Sequence, residues 1–213
     1  MNNKTELDAL REAILAGDSA TAVNEARRLL EEHIDPEEIV TDGVEKAMEQ
    51  LDAKCTVEQF NLLEIMLSGR AVTGVMQTLF PAGAPVSTTR GTVVIASLEG
   101  DVHDLGKNIV GTVLKAKGYR VVDCGKDCPI DRLLDAAERE AAVAVGISGL
   151  ITSIIPQVRK VRDRLYSRGL TDTRVVVGGA ALKQATPKQL NADFVGATAF
   201  DCLHYLDELT GGD

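Results

Sequence analysis

Thr92-Val93-Val94-Ile95-Ala96-Ser97 runs straight into Leu98-Glu99-Gly100-Asp101-Val102-His103-Asp104-Leu105-Gly106-Lys107-Asn108: an unbroken apolar stretch of strand length, a polar loop containing two glycines, and the opening of a helix. An apolar run without polar alternation is what a strand buried on both faces requires. Four more runs follow at helix-length intervals, at Tyr119 to Cys124, Val143 to Ser148, Arg174 to Gly179 and, more weakly, Ala192 to Gly196. Strands separated by crossover helices make a parallel sheet, and right-handed crossovers lay the helices on both of its faces. These runs predict an α/β domain on a doubly wound, five-stranded parallel sheet of Rossmann-like, flavodoxin-like type. Such sheets bind ligands beyond the carboxyl ends of their strands, so the residues just after each strand are the ones to read for function.

Upstream of this sheet the period changes. From Lys4 to Phe80 the apolar residues recur at helical spacing, as in Val40, Val44, Ala47, Leu51 and in Leu62, Met66, Val72, Met76, Leu79. Gly17-Asp18-Ser19 separates two helices, Asp35-Pro36-Glu37-Glu38 is a capped start with proline at the first helical position, and Thr56-x-x-Gln59 reads as a capping box. The punctuation predicts a bundle of four or five helices. Met66, at helical spacing, reads as core. Pro81 to Arg90, with two prolines and a glycine, suits a linker, which divides the chain into a helical cap domain, 1–85, and the α/β domain, 86–213.

With 213 residues, 45% of them hydrophobic, the chain can bury a core in each part. A net charge of -9 argues against non-specific attraction to nucleic acid or anionic lipid. No apolar run is long enough to span a bilayer, and the start lacks the apolar stretch of a signal peptide, so a cytoplasmic location is expected. Cys55, Cys124, Cys128 and Cys202 form no C-x-x-C pair and read as small core residues. Glu31, Glu32, Glu37 and Glu38 crowd helix ends, where capping and solvation account for them.

Three chemistries compete for the loop after the first strand. A phosphate loop needs four residues between its glycines; Gly100 and Gly106 enclose five, Asn108 replaces the hydroxyl residue, and Asp101 and Asp104 repel phosphate. A receiver domain needs an aspartate ending the third strand, where this chain has Gly146-Ile147-Ser148-Gly149. The third chemistry is metal ligation, in which a histidine gives one ring nitrogen to the metal while the other donates its proton to Asp101. One histidine cannot hold a free ion, and His33 and His204 lie in helical segments with ordinary roles. A single one suffices where a macrocycle supplies the equatorial ligands. On this loop alone, a histidine that merely satisfies a helix cap stays open.

The loop does not stand alone. Asp101-x-His103-x-x-Gly106 is followed by Ser148-x-Leu150 after the third strand and Gly178-Gly179 after the fourth. This series resembles the cobalamin-binding domain of methionine synthase and of corrinoid methyl-carrier proteins, and the resemblance covers nearly the whole chain. It implies a cobalamin cofactor (methylcobalamin, or the Co(I) corrinoid) bound base-off, with His103 as lower axial ligand to cobalt and Asp101 as its hydrogen-bonded carboxylate. It further implies that Gly100, Val102, Asp104, Leu105 and Gly106 line the corrin, with amides at the helix start and Asp104 meeting its periphery. Ser148, Gly149, Leu150 and Thr152 would bound the nucleotide tail, Gly149 leaving it room. Gly178, Gly179 and, in the turn before the last helix, Ala199 would border the same tail.

Two departures qualify the likeness. Methionine synthase extends the histidine–aspartate contact to a serine, and Ile154 stands at the matching position, so the proton relay is expected to stop at Asp101 or at water. Phe60-Asn61-Leu62-Leu63 replaces the family's aromatic-Leu-Pro, leaving Met66 as a candidate to shield the upper corrin face. The implied function is a methyl carrier between a substrate-specific methyltransferase and an acceptor methyltransferase, serviced by a reductive activase, and not a self-sufficient enzyme. The alternative is an adenosylcobalamin-binding module of a mutase or a B12-dependent sensor, whose catalytic barrel or effector domain 213 residues do not hold. The methyl donor stays open among methanol, methylamines, betaines and methoxylated aromatics.

Overall fold

The computed structural model describes residues 7–55, 62–81 and 90–211. The chain divides into two compact units, Met1–Ala84 and Pro85–Asp213. The linker predicted over 81–90, apart from its two end residues, lies outside the described residues, as do the capping box at Thr56 and Gln59 and the departure at Phe60-Asn61.

The second unit carries strands β1 (Thr92–Ser97), β2 (Arg120–Asp123), β3 (Ala144–Ser148), β4 (Arg174–Gly178) and β5 (Phe194–Gly196). They form one all-parallel sheet in the order β2-β1-β3-β4-β5. Its helices are α5 (Leu105–Ala116), α6 (Ile130–Arg139), α7 (Ile155–Ser167, entered through a 3-10 turn at Thr152–Ile154), α8 (Pro187–Leu190) and α9 (Ala199–Thr210). Val94, Ala96, Val145, Ile147, Val175 and Val177 pack with Leu133 and Leu134 of α6 and Val158, Val161 and Leu165 of α7 in one buried cluster. The alternate residues Val93, Ile95, Ala144 and Val176 are buried on the opposite face, where α5 and α9 pack. Burial on both faces is why these strands read as continuous apolar runs. Gly111 of α5 sits against the sheet so closely that a Cβ there would come 2.8 Å from Ile95 Cδ1.

Five strand ends fall short of the sequence reading: β2 lacks Tyr119 and Cys124, β3 lacks Val143, β4 lacks Gly179 and β5 lacks Ala192 and Asp193. β5 starts at Phe194 because Asp193 Oδ2 accepts the N–H of Val175 (2.7 Å), so a side chain occupies a position that strand pairing would otherwise take. β4 stops at Gly178 because Gly179 turns the chain with φ of 97°.

The first unit contains α1 (Asp8–Leu15), α2 (Ser19–Glu31), a continuous helix α3 (residues 36–55) and α4 (Leu62–Leu79). Asp18 caps α2 by accepting the Thr21 N–H (3.0 Å), and Asp35 caps α3 through the Glu37 N–H (2.8 Å) with Pro36 next in line. Within α3, the α-helical turn Pro36–Glu38 passes into a π-helical stretch, Ile39–Glu45, before Lys46–Cys55. The apolar spacing did not foretell this widening; Arg11 Nη1 donates to the Asp42 carbonyl within it (2.9 Å). His33 lies in the turn after α2, with φ of 63°, and not inside a helix. Met66 is the other correction: it is 64% exposed, beside Leu63 at 63%, because the buried face of α4 begins only at Ser68 and continues through Ala71, Val72, Val75, Met76 and Leu79. Among the described residues, no helix is long and apolar enough to cross a membrane.

Leu165 is fully buried between α7 and the sheet. Leu165→Ala should lower unfolding stability by about 2–5 kcal/mol in urea titration; a loss under about 1 kcal/mol would contradict its place in the shared core.

Candidate functional site

The strand order reverses between β1 and β3, and the loop after β1 leaves the sheet at that switch point. The ladder puts Ser97 opposite Ser148, Ser148 opposite Gly178, and Gly178 opposite Gly196. The carboxyl edge from β3 to β5 thus ends in one hydroxyl and two residues without side chains.

Residues 97–104 are tied down from below by the loop between β2 and α6. Ser97 N–H donates to the Gly125 carbonyl (3.0 Å), Cys128 N–H to the Ser97 carbonyl (3.0 Å) and Glu99 N–H to the Cys128 carbonyl (2.9 Å). Asp127, in the left-handed region at φ of 51°, accepts the Gly100 N–H on its carboxylate (2.7 Å) and gives its own N–H to the Asp101 carbonyl (3.0 Å). From above, Ser97 Oγ donates to the His103 carbonyl (2.7 Å).

Asp101 has no exposed surface, and its two oxygens meet three N–H groups. Oδ1 accepts the backbone N–H of His103 (2.9 Å) and lies 2.7 Å from His103 Nδ1; Oδ2 accepts the backbone N–H of Leu150 (2.8 Å). Burial, the largest single influence, pushes the carboxyl up, but the two amides and the His103 ring together outweigh it and hold Asp101 below the usual carboxylate value. Asp101 is therefore ionised at neutral pH and accepts from Nδ1–H, which assigns the lone pair of neutral His103 to Nε2. The His103 side chain is 51% exposed, and Val102 beside it 58% exposed, so this ring edge faces outward. Ile154 is buried and makes no polar link to Asp101; the group beyond the aspartate is the Leu150 amide, which relays no proton.

Asp104 precedes α5 and makes no side-chain cap hydrogen bond, so the amides of Leu105, Gly106 and Lys107 open the helix uncapped by it; Asn108 N–H already bonds the Asp104 carbonyl (2.9 Å). A Cβ on Gly106 would have one neighbour within 4 Å, Ser148 Oγ at 3.6 Å, which marks a gap between the start of α5 and the end of β3. Gly149 is different. A Cβ there would lie 2.6 Å from Ile154 Cδ1 and 3.0 Å from Leu182, so the protein's own packing requires its smallness. Gly179 likewise passes against the Gly149 backbone, where a Cβ would come 2.6 Å from its carbonyl oxygen. Leu150 and Thr152 are exposed at the β3 exit, and Gly100 is exposed at φ of 92°. Ala199 is the first residue of α9 and buried, not part of the preceding turn, because Thr198 and Asp201 form the helix's capping box.

Sequence reasoning passed over Ser97, Lys107, Asp127 and Gly196. Gly196 had a signal, since it ends a strand as Gly178 does; Ser97 and Asp127 act through backbone partners that no motif records, and Lys107 pairs with a side chain sixteen residues away, Asp123. Among the described residues no cluster of three or more histidine, cysteine or acidic side chains could hold a free metal ion. Cys124, Cys128 and Cys202 are free and buried, and burial pushes the Cys128 thiol up to about 11 and Cys202 up to about 12, so they stay protonated core residues. The Cys55 side chain lies outside the described residues.

Comparison with known proteins places this geometry. Residues 91–201 match the family described as the B12 binding domain, and residues 6–79 match a second family of the same description. The chain is 33% identical over 203 residues to dimethylamine corrinoid protein 2 of Methanosarcina mazei, covering 93% of this chain and 90% of that one. The Methanosarcina barkeri monomethylamine corrinoid protein superposes with a TM-score of 0.83 at 26% identity, over 98% of this chain and all (100%) of that one. The methanol:cobalamin methyltransferase complex MtaBC of M. barkeri matches with a TM-score of 0.55 at 28% identity, over 98% of this chain and 81% of that one.

The lowered pKa of Asp101 has a definite sign in stability. Its contribution is present above the unfolded value of about 3.9 and is lost as pH falls through the lower folded value. Asp101→Asn should therefore cost about 1.5–3 kcal/mol near pH 7, and the deficit against wild type should shrink below about pH 4 in pH-dependent urea unfolding. A deficit that does not change with pH would contradict the assignment.

Proposed function

The chain belongs to the corrinoid-protein family of B12 binding domains, and from that premise we propose that it holds a cobalamin-type corrinoid through His103 Nε2 and carries a methyl group between partner methyltransferases. One observation carries the reading: a histidine ring fixed at Nδ1 by a fully buried, ionised carboxylate 2.7 Å away, with its other edge turned outward. That is the arrangement of a metal-bound histidine whose second nitrogen is held by a carboxylate.

The surroundings fit the group. The exposed apolar side chains of Val102, next to His103 in the chain, and Leu150, whose amide meets Asp101, suit the face of a macrocycle. The gap between Gly106 and Ser148 suits an extended nucleotide tail in the base-off form, while Gly178 and Gly196, where an added Cβ would meet backbone oxygens at 3.3 Å, let the β4 and β5 exits pack beside it. Ser148 and Thr152 offer hydroxyls to that tail. Leu105 to Lys107 and Asp104 offer N–H donors and a carboxylate acceptor to the corrin's periphery. Gly149 and Gly179 serve indirectly, by letting the β3 and β4 exits pack together.

When bound, the corrinoid supplies a cobalt centre that accepts and releases a methyl group. His103 would present Nε2 to the metal, and Asp101 would keep the proton on Nδ1 and orient the ring. Because the far oxygen of Asp101 is occupied by the Leu150 amide, the proton of this pair does not pass deeper into the protein. In this reading residues 86–213 hold the cofactor, the helical residues 1–85 cap it, and donor activation is left to partners: a substrate-specific methyltransferase, an acceptor methyltransferase and a reductive activase. The relatives' names, two methylamine corrinoid proteins and a methanol:cobalamin methyltransferase complex, support a carrier whose donor is set by its partner.

Reconstituted with hydroxocobalamin, the wild-type protein should give the visible spectrum of a histidine-ligated corrinoid at about one equivalent. His103→Ala should lose that ligation signature while keeping part of the cofactor, and an unchanged spectrum would remove His103 from the site. Gly106→Leu puts bulk into the gap beside Ser148, where a Cβ meets only Ser148 Oγ at 3.6 Å, and replaces a glycine in the first turn of α5 by a better helix former. Its apoprotein should be at least as stable as wild type, yet bind corrinoid with a steric cost of about 1–3 kcal/mol, read from equilibrium titration. Wild-type affinity in that variant would refute the placement of the tail.

A further inference from the structure

Lys107 stands in the first turn of α5, where a cation opposes the helix dipole, and its side chain is only 2% exposed. A buried ammonium in that position costs stability unless its partners compensate. Its partners are specific. Nζ donates to Asp123 Oδ2 at the end of β2 (2.6 Å) and to Asn108 Oδ1 (2.8 Å). Asp123 uses its second oxygen, Oδ1, to accept the Gly125 N–H (2.8 Å).

The path continues into the histidine loop. The Gly125 carbonyl accepts the Ser97 N–H (3.0 Å), and Ser97 Oγ donates to the His103 carbonyl (2.7 Å). Further along the same segment, Asp127 bonds the loop at Gly100 and Asp101, and Cys128 bonds it at Ser97 and Glu99. The loop therefore starts, at Ser97, and finishes, at Lys107, on one strip of chain, residues 123–128. Lys107 closes that ring.

We infer that Lys107 and Asp123 are a positioning pair: they fix the 123–128 segment beneath the 97–104 loop and so hold His103 in the orientation that ligates. The inference rests on His103 being the ligand. Lys107 touches neither the ring nor its outward edge; it acts through Asp123, Gly125 and Ser97. A pair that served stability alone would be replaceable by an apolar side chain of similar length with little local consequence.

The test compares wild type with Lys107→Met and with Lys107→Met/Asp123→Ala, which also removes the exposed carboxylate that the first change leaves unpaired. Amide hydrogen exchange on the apoproteins should be faster by about ten-fold or more in residues 97–104 and 125–128, and unchanged in the β3–β4 core. After reconstitution with hydroxocobalamin, both variants should keep the corrinoid, while the histidine-ligated fraction in the visible spectrum falls. Exchange raised equally throughout the protein, including a failure of either variant to fold, would assign the pair to global stability and overturn the inference. If wild type shows histidine ligation and both variants match it in ligation and loop exchange, the inference fails and the functional reading stands. If wild type itself shows no histidine ligation, the functional reading fails first and the inference with it.

Discussion

The carboxylate of Asp101 sits without solvent at the switch point of the sheet, and three N–H groups hold it ionised there. Each comes from a different demand of the fold. The His103 amide closes the loop on itself, the Leu150 amide joins that loop to the exit of β3, and the imidazole is the part the protein turns outward. A buried carboxylate that lost one of these donors would carry an uncompensated charge, so the loop geometry, the β1–β3 register and the ring orientation are one constraint. Below it, residues 123–128 supply a second layer of backbone bonds that keeps the loop from relaxing.

Much of this frame is visible in the amino-acid order, for reasons that differ by element. β1 was legible to the residue because both its faces are buried, and an unbroken apolar run of that length bounded by a polar loop fits a doubly covered strand. β5 was read too long because Asp193 acts as a side-chain substitute for strand pairing, which no periodicity reveals. The π-helical stretch Ile39–Glu45 escaped because the apolar residues around it keep an ordinary helical spacing. Met66 read as core and is exposed, since spacing tells which residues share a face but not where along α4 that face is covered.

The candidate site was legible where chemistry sits in side chains and illegible where it sits in the backbone. Asp101, His103, Gly106 and Ser148 announce themselves by type and spacing. The Leu150 amide, the Gly125 carbonyl and the Asp127 turn do not, because a backbone donor has no letter of its own. Gly149 teaches the complementary point: the need for a glycine at the expected place comes from Ile154 and Leu182, the protein's own atoms, and the open space lies instead beside Gly106. Lys107 looked like any helix lysine until its burial against Asp123 was seen.

The account turns on which nitrogen stands below cobalt, and a single labelling experiment addresses that atom directly. The protein is prepared with 15N-histidine, reconstituted with unlabelled cobalamin, and reduced to the paramagnetic Co(II) state for electron paramagnetic resonance. Ligation by His103 predicts that each cobalt line, split into three by a 14N ligand in unlabelled protein, splits into two in the labelled protein, and that neither pattern appears in His103→Ala. Lines that remain split into three in the labelled protein would place the cofactor's own base below the metal and contradict the account.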